Sequence, residues 1–469
     1  MAKFYVTTPI YYVNDRPHIG HFYTTLVADI LARFHKKQGD DVFFLTGTDE
    51  HGAKVAQAAK QAGKTPKQLA DEVAAEFRQE WDSFEIKPNR FIRTTDEDHI
   101  KFSQNFLTKL NEKGFLYKGS YEGLYCVACE AYYKPEELLP GNLDPVHRQP
   151  VERVKEAVWF FKLSQFQNQL IDLIGRGVFA IQPESRRNEV LSFIKGGLKD
   201  IPITRSKVEW GIPVPWENPA SGGAGGQTFY VWIEALLNYL TGAEGKKIWP
   251  PDLQIIGKDI LRFHAVIWPA LLLAAELPLP KKLVVHGFFT INGEKMSKTM
   301  GNVITPRELI DRYGVEASRI LLFLPFSFGE DGNFSFEFLD REYNSRLAND
   351  LGNLLQRSIV LFSKLSKPNF SVEVSCAEAD VKLKEVDFKG ALESIFRIVN
   401  EANQYIDREE PWKKYKTEGS DWLAEFTRSL ANRLLTIASG IEPFAPKTAA
   451  AIRTQLKTLK PKPLFPKLI

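Results

Sequence analysis

The sequence predicts an α/β protein: a doubly wound, Rossmann-like domain split by a small insertion and followed by an all-α helical bundle. Three observations carry this. Apolar strands alternate with amphipathic helices over residues 1–116, and the same rhythm resumes at about 227. The intervening stretch, 117–226, is rich in aromatics, Gly and Pro and ends in Ser221-Gly222-Gly223-Ala224-Gly225-Gly226. Beyond about Glu337 only helical periodicity remains. The expected divisions are 1–116 and 227–324 for the two halves of the sheet domain, 117–226 for the insertion, 325–345 for a connecting segment and 346–469 for the bundle.

Phe4 to Thr8 reads as the first strand. Ile19 to Lys37 follows as a helix, with Leu26, Ile30, Leu31 and Phe34 on one face. Asp41 to Leu45 is apolar after its first residue, the mark of a strand covered on both faces. Helices are expected at 53–62, 66–84 and 97–113. In the insertion, Trp159 to Leu163 is strand-like. After it, Thr228 to Ile233 reads as a strand, Glu234 to Leu240 as a helix start and Leu253 to Ile256 as a strand. Ile260 to Ala275 reads as a helix and Leu283 to Phe289 as a strand. The bundle helices fall at about 337–366, 380–407, 420–439 and 445–457.

Composition narrows the function. The 469 residues suggest about three domains at roughly 150 residues each. Apolar residues make up 44% and charged residues 25%, which excludes a disordered chain. A net charge of +3, from 61 basic and 58 acidic residues, excludes a polybasic binder, so any nucleic acid must meet a local basic face. Three cysteines, Cys126, Cys129 and Cys376, exclude a disulfide scaffold and fit a reducing compartment. The N-terminus lacks a signal-peptide pattern, and the longest apolar run, Ala265 to Ala275, contains Pro269 and falls short of the ~20 residues of a membrane span. A cytoplasmic, soluble protein with no membrane partner is expected.

Two motifs point to phosphate chemistry. Pro17-His18-Ile19-Gly20-His21 lies between the first strand and the first helix, where backbone N–H groups and partial positive charge suit phosphate. Gly20 lets backbone approach a ligand, and His18 and His21 add two donors. Lys295-Met296-Ser297-Lys298-Thr299 follows the last expected strand. Its two lysines, on a loop, suit charge moving to a leaving pyrophosphate. Taken singly, two surface histidines and a solvated basic loop explain these residues as well. Together, at the first strand of one half-sheet and beyond the last strand of the other, they frame one crevice of a doubly wound fold. Gly63-Lys64-Thr65 mimics the end of a P-loop, but Ala58 stands where its first glycine belongs.

These motifs resemble the HIGH and KMSKS signatures of class I aminoacyl-tRNA synthetases. The surrounding text resembles the bacterial methionyl-tRNA synthetase family over essentially the whole chain. The stretches that carry the likeness are Tyr5 to Gly52, Gly257-Lys258-Asp259-Ile260 with Phe263-His264, Val285-His286-Gly287-Phe288 and Asn349-Asp350-Leu351-Gly352-Asn353. The resemblance implies methionine activation by ATP, with Mg2+ as counterion, and transfer to the 3′-terminal ribose of methionine tRNA, initiator tRNA included. It places His18, His21, Lys295 and Lys298 at the phosphates, with His18, Gly20, His21, Gly257, Asp259 and Lys298 binding ATP. Asp259 is equally an ordinary helix cap by type. The methionine pocket falls on Ile10, Tyr12, Asp49, Trp232, Ala235, Leu236, Tyr239, Ile260 and His264. An aromatic, polarizable wall suits a thioether and Asp49 suits an ammonium group, with His264 and Tyr239 offering weak polar contacts to sulfur. Glu234 stands where the family usually has Asp.

The resemblance also implies a zinc knuckle in the insertion, from Cys126, Cys129, Asp144 and His147, with Asp144 in place of a usual Cys. Zinc accepts such a carboxylate, and a lone turn at Asn142-Leu143-Asp144-Pro145 is the alternative. In the bundle it places anticodon reading on Asn353, Arg357 and Trp412, residue types that read base edges and stack on unpaired bases. By type alone they are a solvated face and a core indole. The chain ends at Ile469 without the C-terminal dimerising domain of some members, so a monomer is expected. Three rivals remain at this level. They are a class I synthetase for another apolar amino acid, a small nucleotidyltransferase with one histidine motif, and a tRNA-binding paralogue without catalysis.

Overall fold

The computed structural model describes all residues except 128–130, 146–147, 218–225, 292, 296–302, 365–367, 369–373 and 469, and only the backbone at 131, 132, 294 and 295. It divides into two units: Met1–Pro17 with Val27–Ala32 and Gly39–His286, and His18–Leu26 with Arg33–Gln38 and Gly287–Ile469.

Apolar strands build the first unit. β1 (Lys3–Tyr12) and β2 (Asp41–Asp49) are buried along most of their length, as a sheet covered on both faces requires. They are followed by β3 (Arg90–Arg93). The insertion supplies an antiparallel sheet from β4 (Leu116–Cys126), β5 (Ala131–Tyr133) and β6 (Glu152–Phe161). It then contributes β7 (Ala180–Gln182), and β8 (Ile201–Pro202) pairs with β6. β9 (Thr204–Arg205) pairs with β10 (Thr228–Phe229). β11 (Leu253–Gly257) and β12 (Lys282–His286) complete a six-stranded sheet in the order β3-β2-β1-β11-β12-β7, with every pair parallel. Segment 117–226 thus lends one edge strand, β7, to the main sheet.

The helices expected before the insertion form, and two further helices lie within it. They are α1 (Ile19–Lys37), α2 (Ala53–Gln61), α3 (Pro66–Ser83), α4 (Glu97–Glu112), α5 (Gln167–Gly175) and α6 (Glu184–Lys195). α7 (Val231–Leu236), α8 (Asn238–Ala243) and α9 (Trp268–Ala274) complete this set. Thr65, the end of the false P-loop, caps α3: its hydroxyl accepts from Gln68 N, while Gln68 reaches back to Thr65 N. Four readings differ: the strand expected from Leu283 to Phe289 stops at His286, the helix expected over 380–407 is interrupted between Lys384 and Phe388, and the other two lie at 228–233 and 260–275. The strand expected from Thr228 to Ile233 stops at Phe229, and the chain turns helical at Val231. Every residue of α7 is buried, so no alternation separates helix from strand there. The helix expected from Ile260 to Ala275 is broken into a 3-10 turn (Lys258–Ile260), a π turn (Phe263–Ile267) and α9.

In the second unit, β13 (Phe289–Ile291), β14 (Glu294–Lys295) and β15 (Gly332–Phe334) form a small sheet. α10 (Pro306–Tyr313), α11 (Val315–Leu321) and α12 (Phe336–Glu342) lead through a π segment (Tyr343–Gly352) into α13 (Asn353–Lys364). The bundle continues with α14 (Ala377–Lys384), α15 (Phe388–Glu409), α16 (Pro411–Lys414), α17 (Gly419–Ile441) and α18 (Pro446–Thr458). α15 buries Phe388, Leu392, Ile395, Phe396, Val399, Ala402 and Ile406, an apolar stripe at helical spacing, and packs on α14 and α17. Arg319 of α11, almost wholly buried, is satisfied by carbonyls at the α17–α18 turn: Nε donates to Phe444 O at 2.6 Å.

Gly47 sets the spacing of β2 and β3, because a Cβ there would lie 1.9 Å from Ile92 O. Gly47→Ala is expected to destabilise the first unit by about 1–3 kcal/mol, the range for overpacking. Urea unfolding read by a first-unit probe checks this, and an unchanged midpoint would show that the strands part without cost.

Candidate active site

Parallel strands end on one edge of the sheet, and the residues expected to bind the amino acid gather there. Ile10 and Tyr12 close β1, and Tyr12 lies beside Asp49, the last residue of β2. Asp49 is buried, and its carbonyl accepts from Val13 N at 3.2 Å. Trp232, on α7, meets the Tyr12 ring edge-on at 6.0 Å and the His264 ring at 6.4 Å. Ala235 and Leu236 continue the same buried helix. Tyr239 is buried on α8, and Ile260 packs against the same core. The structure therefore brings Tyr12, Trp232, Tyr239 and His264 into one aromatic group. Phe263, passed over in assigning the pocket, stacks on Trp232 at 3.9 Å with a 9° interplanar angle.

Hydrogen bonding assigns the protons of this group. His264 Nδ1 faces the Ile260 carbonyl at 3.0 Å, and a carbonyl only accepts, so Nδ1 carries the hydrogen. Nε2 must then accept from the Tyr239 hydroxyl at 2.7 Å. Burial holds His264 neutral, with its pKa lowered to about 4, and pushes the Tyr239 phenol up. Both hydrogens are engaged within the protein. The group presents polarizable ring surface around a hydrogen-bonded Tyr239–His264 pair.

Two buried carboxylates stand behind this wall. Glu50 has no exposed surface and takes two bonds from Arg93, Nε at 2.6 Å and a terminal nitrogen at 2.9 Å. Thr48 donates to it at 2.7 Å. Glu234, equally buried, meets His51 Nδ1 at 2.8 Å with one oxygen and His99 Nε2 at 3.0 Å with the other. Burial alone would raise the Glu234 pKa, but the two imidazoles outweigh it and hold the carboxyl below its usual range. Sequence reasoning missed Glu50, His51, Arg93 and His99, whose signal is tertiary. It noted Glu234 only as a departure in type.

Gly257 ends β11, and Asp259 follows on the 3-10 turn. The exposed Asp259 carboxylate folds back so that Oδ1 lies 2.6 Å from where a Cβ at Gly257 would stand.

In the second unit the histidine motif caps α1. His18 Nδ1 accepts from Gly20 N at 3.1 Å, and His21 Nδ1 accepts from His18 N at 3.4 Å. The rings stack at 3.8 Å. Because each Nδ1 accepts, the ring hydrogen sits on Nε2 in both residues, a pair of matched donors. Gly20 leaves room for His18: a Cβ would lie 2.9 Å from its Cε1. Both flanks of the lysine loop touch this helix start. Phe289 lies 3.8 Å from that same Cβ position, and Ile19 N donates to Ile304 O at 3.0 Å. Lys295 closes β14 by its backbone, and Lys298 lies outside the described residues.

In the insertion, Cys126 Sγ lies 3.5 Å from Asp144 Oδ2, both side chains fully buried, and Asp144 also accepts from Gln149 N at 2.8 Å. Two acidic groups buried together need a proton or a cation between them, which fits a ligand pair. Cys129 and His147 lie outside the described residues, and among the described residues no cluster of three or more His, Cys, Asp or Glu forms. In the bundle, Asn353 is exposed at the start of α13, Arg357 pairs with Asp407 near the end of α15, and Trp412 on α16 is 46% exposed. No described helix is long and apolar enough to cross a membrane.

The His264 assignment has a pH consequence. Its pKa falls from 6.5 unfolded to about 4 folded, so the unfolded chain binds more protons between those values. Stability is full above pH 6.5 and drops by about 2 kcal/mol at this residue on reaching pH 5. Denaturant unfolding at pH 7 and pH 5 should show His264→Gln losing less stability than the parent. Equal losses would mean that the folded ring titrates normally.

Comparison with known proteins shows the family. The family model for tRNA synthetases class I (M) matches residues 4–143 and 146–359. The methionine–tRNA ligase of Caldanaerobacter subterraneus is 43% identical over 97% of this chain and 74% of its own length. That of Streptomyces coelicolor is 41% identical over 95% and 88%. The structure of Mycobacterium tuberculosis methionyl-tRNA synthetase in complex with methionyl-adenylate superposes with a TM-score of 0.89 at 36% identity, covering 100% of this chain and 99% of that one. The chain belongs to the methionyl group of the class I tRNA synthetases.

Proposed function

We propose a division of labour among these residues for the reaction of the family. The chain ligates methionine to its tRNA in two steps. The methionine carboxylate attacks the α-phosphorus of ATP, giving methionyl-adenylate and pyrophosphate. A 3′-terminal ribose hydroxyl of the tRNA then attacks the activated carbonyl and releases AMP. No enzyme nucleophile is needed, so catalysis is positioning and charge stabilisation.

Asp49 takes the ammonium group, and Ile10, Tyr12, Trp232, Ala235, Leu236, Tyr239, Ile260 and His264 enclose the side chain. His18 and His21 donate to phosphate oxygens through Nε2, with Gly20 keeping the pair in register. Lys295 and Lys298 follow the charge onto pyrophosphate. Gly257 and Asp259 hold the nucleoside, the carboxylate accepting ribose hydroxyls. Mg2+ neutralises part of the triphosphate charge. The observation that carries this reading is the shared proton pattern at α1, where two capped imidazoles present matched donors.

Cys126, Cys129, Asp144 and His147 would hold Zn2+, which would supply a cross-link within the insertion. Asn353, Arg357 and Trp412 read the anticodon of methionine tRNA, the initiator included. Segment 325–345 contacts the tRNA stem, between the catalytic halves (1–116 and 227–324) and the bundle (346–469). The working unit is one chain in the cytoplasm.

ATP–pyrophosphate exchange across the twenty amino acids is the direct test, with methionine alone expected to support it. Lys298→Ala should cut exchange by about 100-fold or more while methionine affinity stays within about twofold, the signature of an interaction made in the transition state. Equal damage to both would remove that role. Metal analysis should find one zinc per chain in the parent and none in Cys126→Ala; a zinc-free parent purified without chelator would refute the metal assignment.

A further inference from the structure

α7 is too short to hold itself in place. It has six residues, all buried, with no side-chain cap at its start. A helix of that length owes its position to tertiary contacts. Trp232, Ala235 and Leu236 all ride on it, so whatever orients α7 orients one wall of the amino-acid pocket.

The polar contacts of α7 point to one residue. Glu234 faces away from solvent with one oxygen on His51 and the other on His99. His51 lies two residues after Asp49, and its ring packs against Trp210 at 5.4 Å. Trp210 in turn binds this segment twice, with its carbonyl accepting from Gly52 N at 2.9 Å and its indole donating to Glu50 O. Arg93 and Thr48 clamp Glu50 itself. The segment from Thr48 to Gly52 is therefore immobilised on both sides of Asp49. His99 comes from α4, where Nδ1 meets Thr241 Oγ1 of α8 at 3.1 Å. A carboxylate accepts only, so both imidazoles donate to Glu234.

We propose that Glu234 is a positioning residue for methionine: through His51 and His99 it locks the helix that carries Trp232 to the strand end that carries Asp49. This rests on the reading that Asp49 takes the ammonium group. The link sets the distance between the ammonium anchor and the side-chain wall, which is the length a bound amino acid must match. It touches neither ATP nor the reacting atoms, so its loss should fall on methionine recognition.

Glu234→Gln replaces one acceptor with an amide N–H that meets a donor. In steady-state exchange, the methionine KM should rise about tenfold or more, while the ATP KM stays within about twofold. Glu234→Asp keeps the charge and should return the methionine KM to within about threefold of the parent. The tie is overturned if folded Glu234→Gln keeps the parent methionine KM. It is also overturned if methionine and ATP constants worsen together without rescue by Glu234→Asp, because a merely structural loss would do that. Should Glu234→Gln not fold, His99→Gln removes one half of the link. It should raise the methionine KM alone, and an unchanged value overturns the proposal. Asp49→Asn run in parallel separates the two readings. A large rise in methionine KM there, with none in Glu234→Gln, sinks only the tie; no rise in Asp49→Asn sinks the pocket reading and the tie with it.

Discussion

A carboxylate without exposed surface must be paired inside the protein, since an isolated buried charge costs far more than one residue can return. Glu50 and Glu234 are both in that position, and the pairing each requires organises the pocket. Glu50 draws Arg93 from the end of β3 and Thr48 from β2. Glu234 draws His51 from beyond β2 and His99 from α4. Four separate stretches of chain meet because two acids have nowhere else to put their charge. Asp49 lies between the two clamps, so its orientation is inherited from its neighbours.

The same economy of hydrogens runs through the rest of the candidate site. His264 donates at one nitrogen and accepts at the other, and Tyr239 supplies the second hydrogen. A charged imidazole at that place would reverse the Tyr239 bond, with Nε2–H donating to the phenol oxygen, and it is burial that favours the neutral ring. At α1 the arrangement is reversed. His18 and His21 accept at Nδ1 to cap the helix, which leaves the ring hydrogen on Nε2. In all three imidazoles Nδ1 faces the backbone, and what differs is whether it meets a carbonyl, as in His264, or an N–H, as in His18 and His21.

Much of this was legible from residues alone. α1 runs over the span that its apolar face marks, and β2 begins at the expected Asp41, because period and burial agree there. The motif residues His18 and His21 were legible because their chemistry is local, confined to one helix turn. α7 was not legible as a helix, since a segment buried all round has no face to display. β7 was hidden inside the insertion because three residues of strand carry no periodic signal. The Glu234 link was invisible for a different reason. Its partners are 183 and 135 residues away in the chain, and each residue by itself reads as an ordinary polar side chain.

The sequence by itself determined the class of the fold, because strand and helix periods act over a few residues, and its resemblance to known sequences gave the family. Only the tertiary structure decided which protons the histidine side chains carry and which partners orient them. A proton's place depends on the nearest acceptor in space, and for His264, His51 and His99 that acceptor is set by how distant segments pack. Composition and spacing hold no record of that distance.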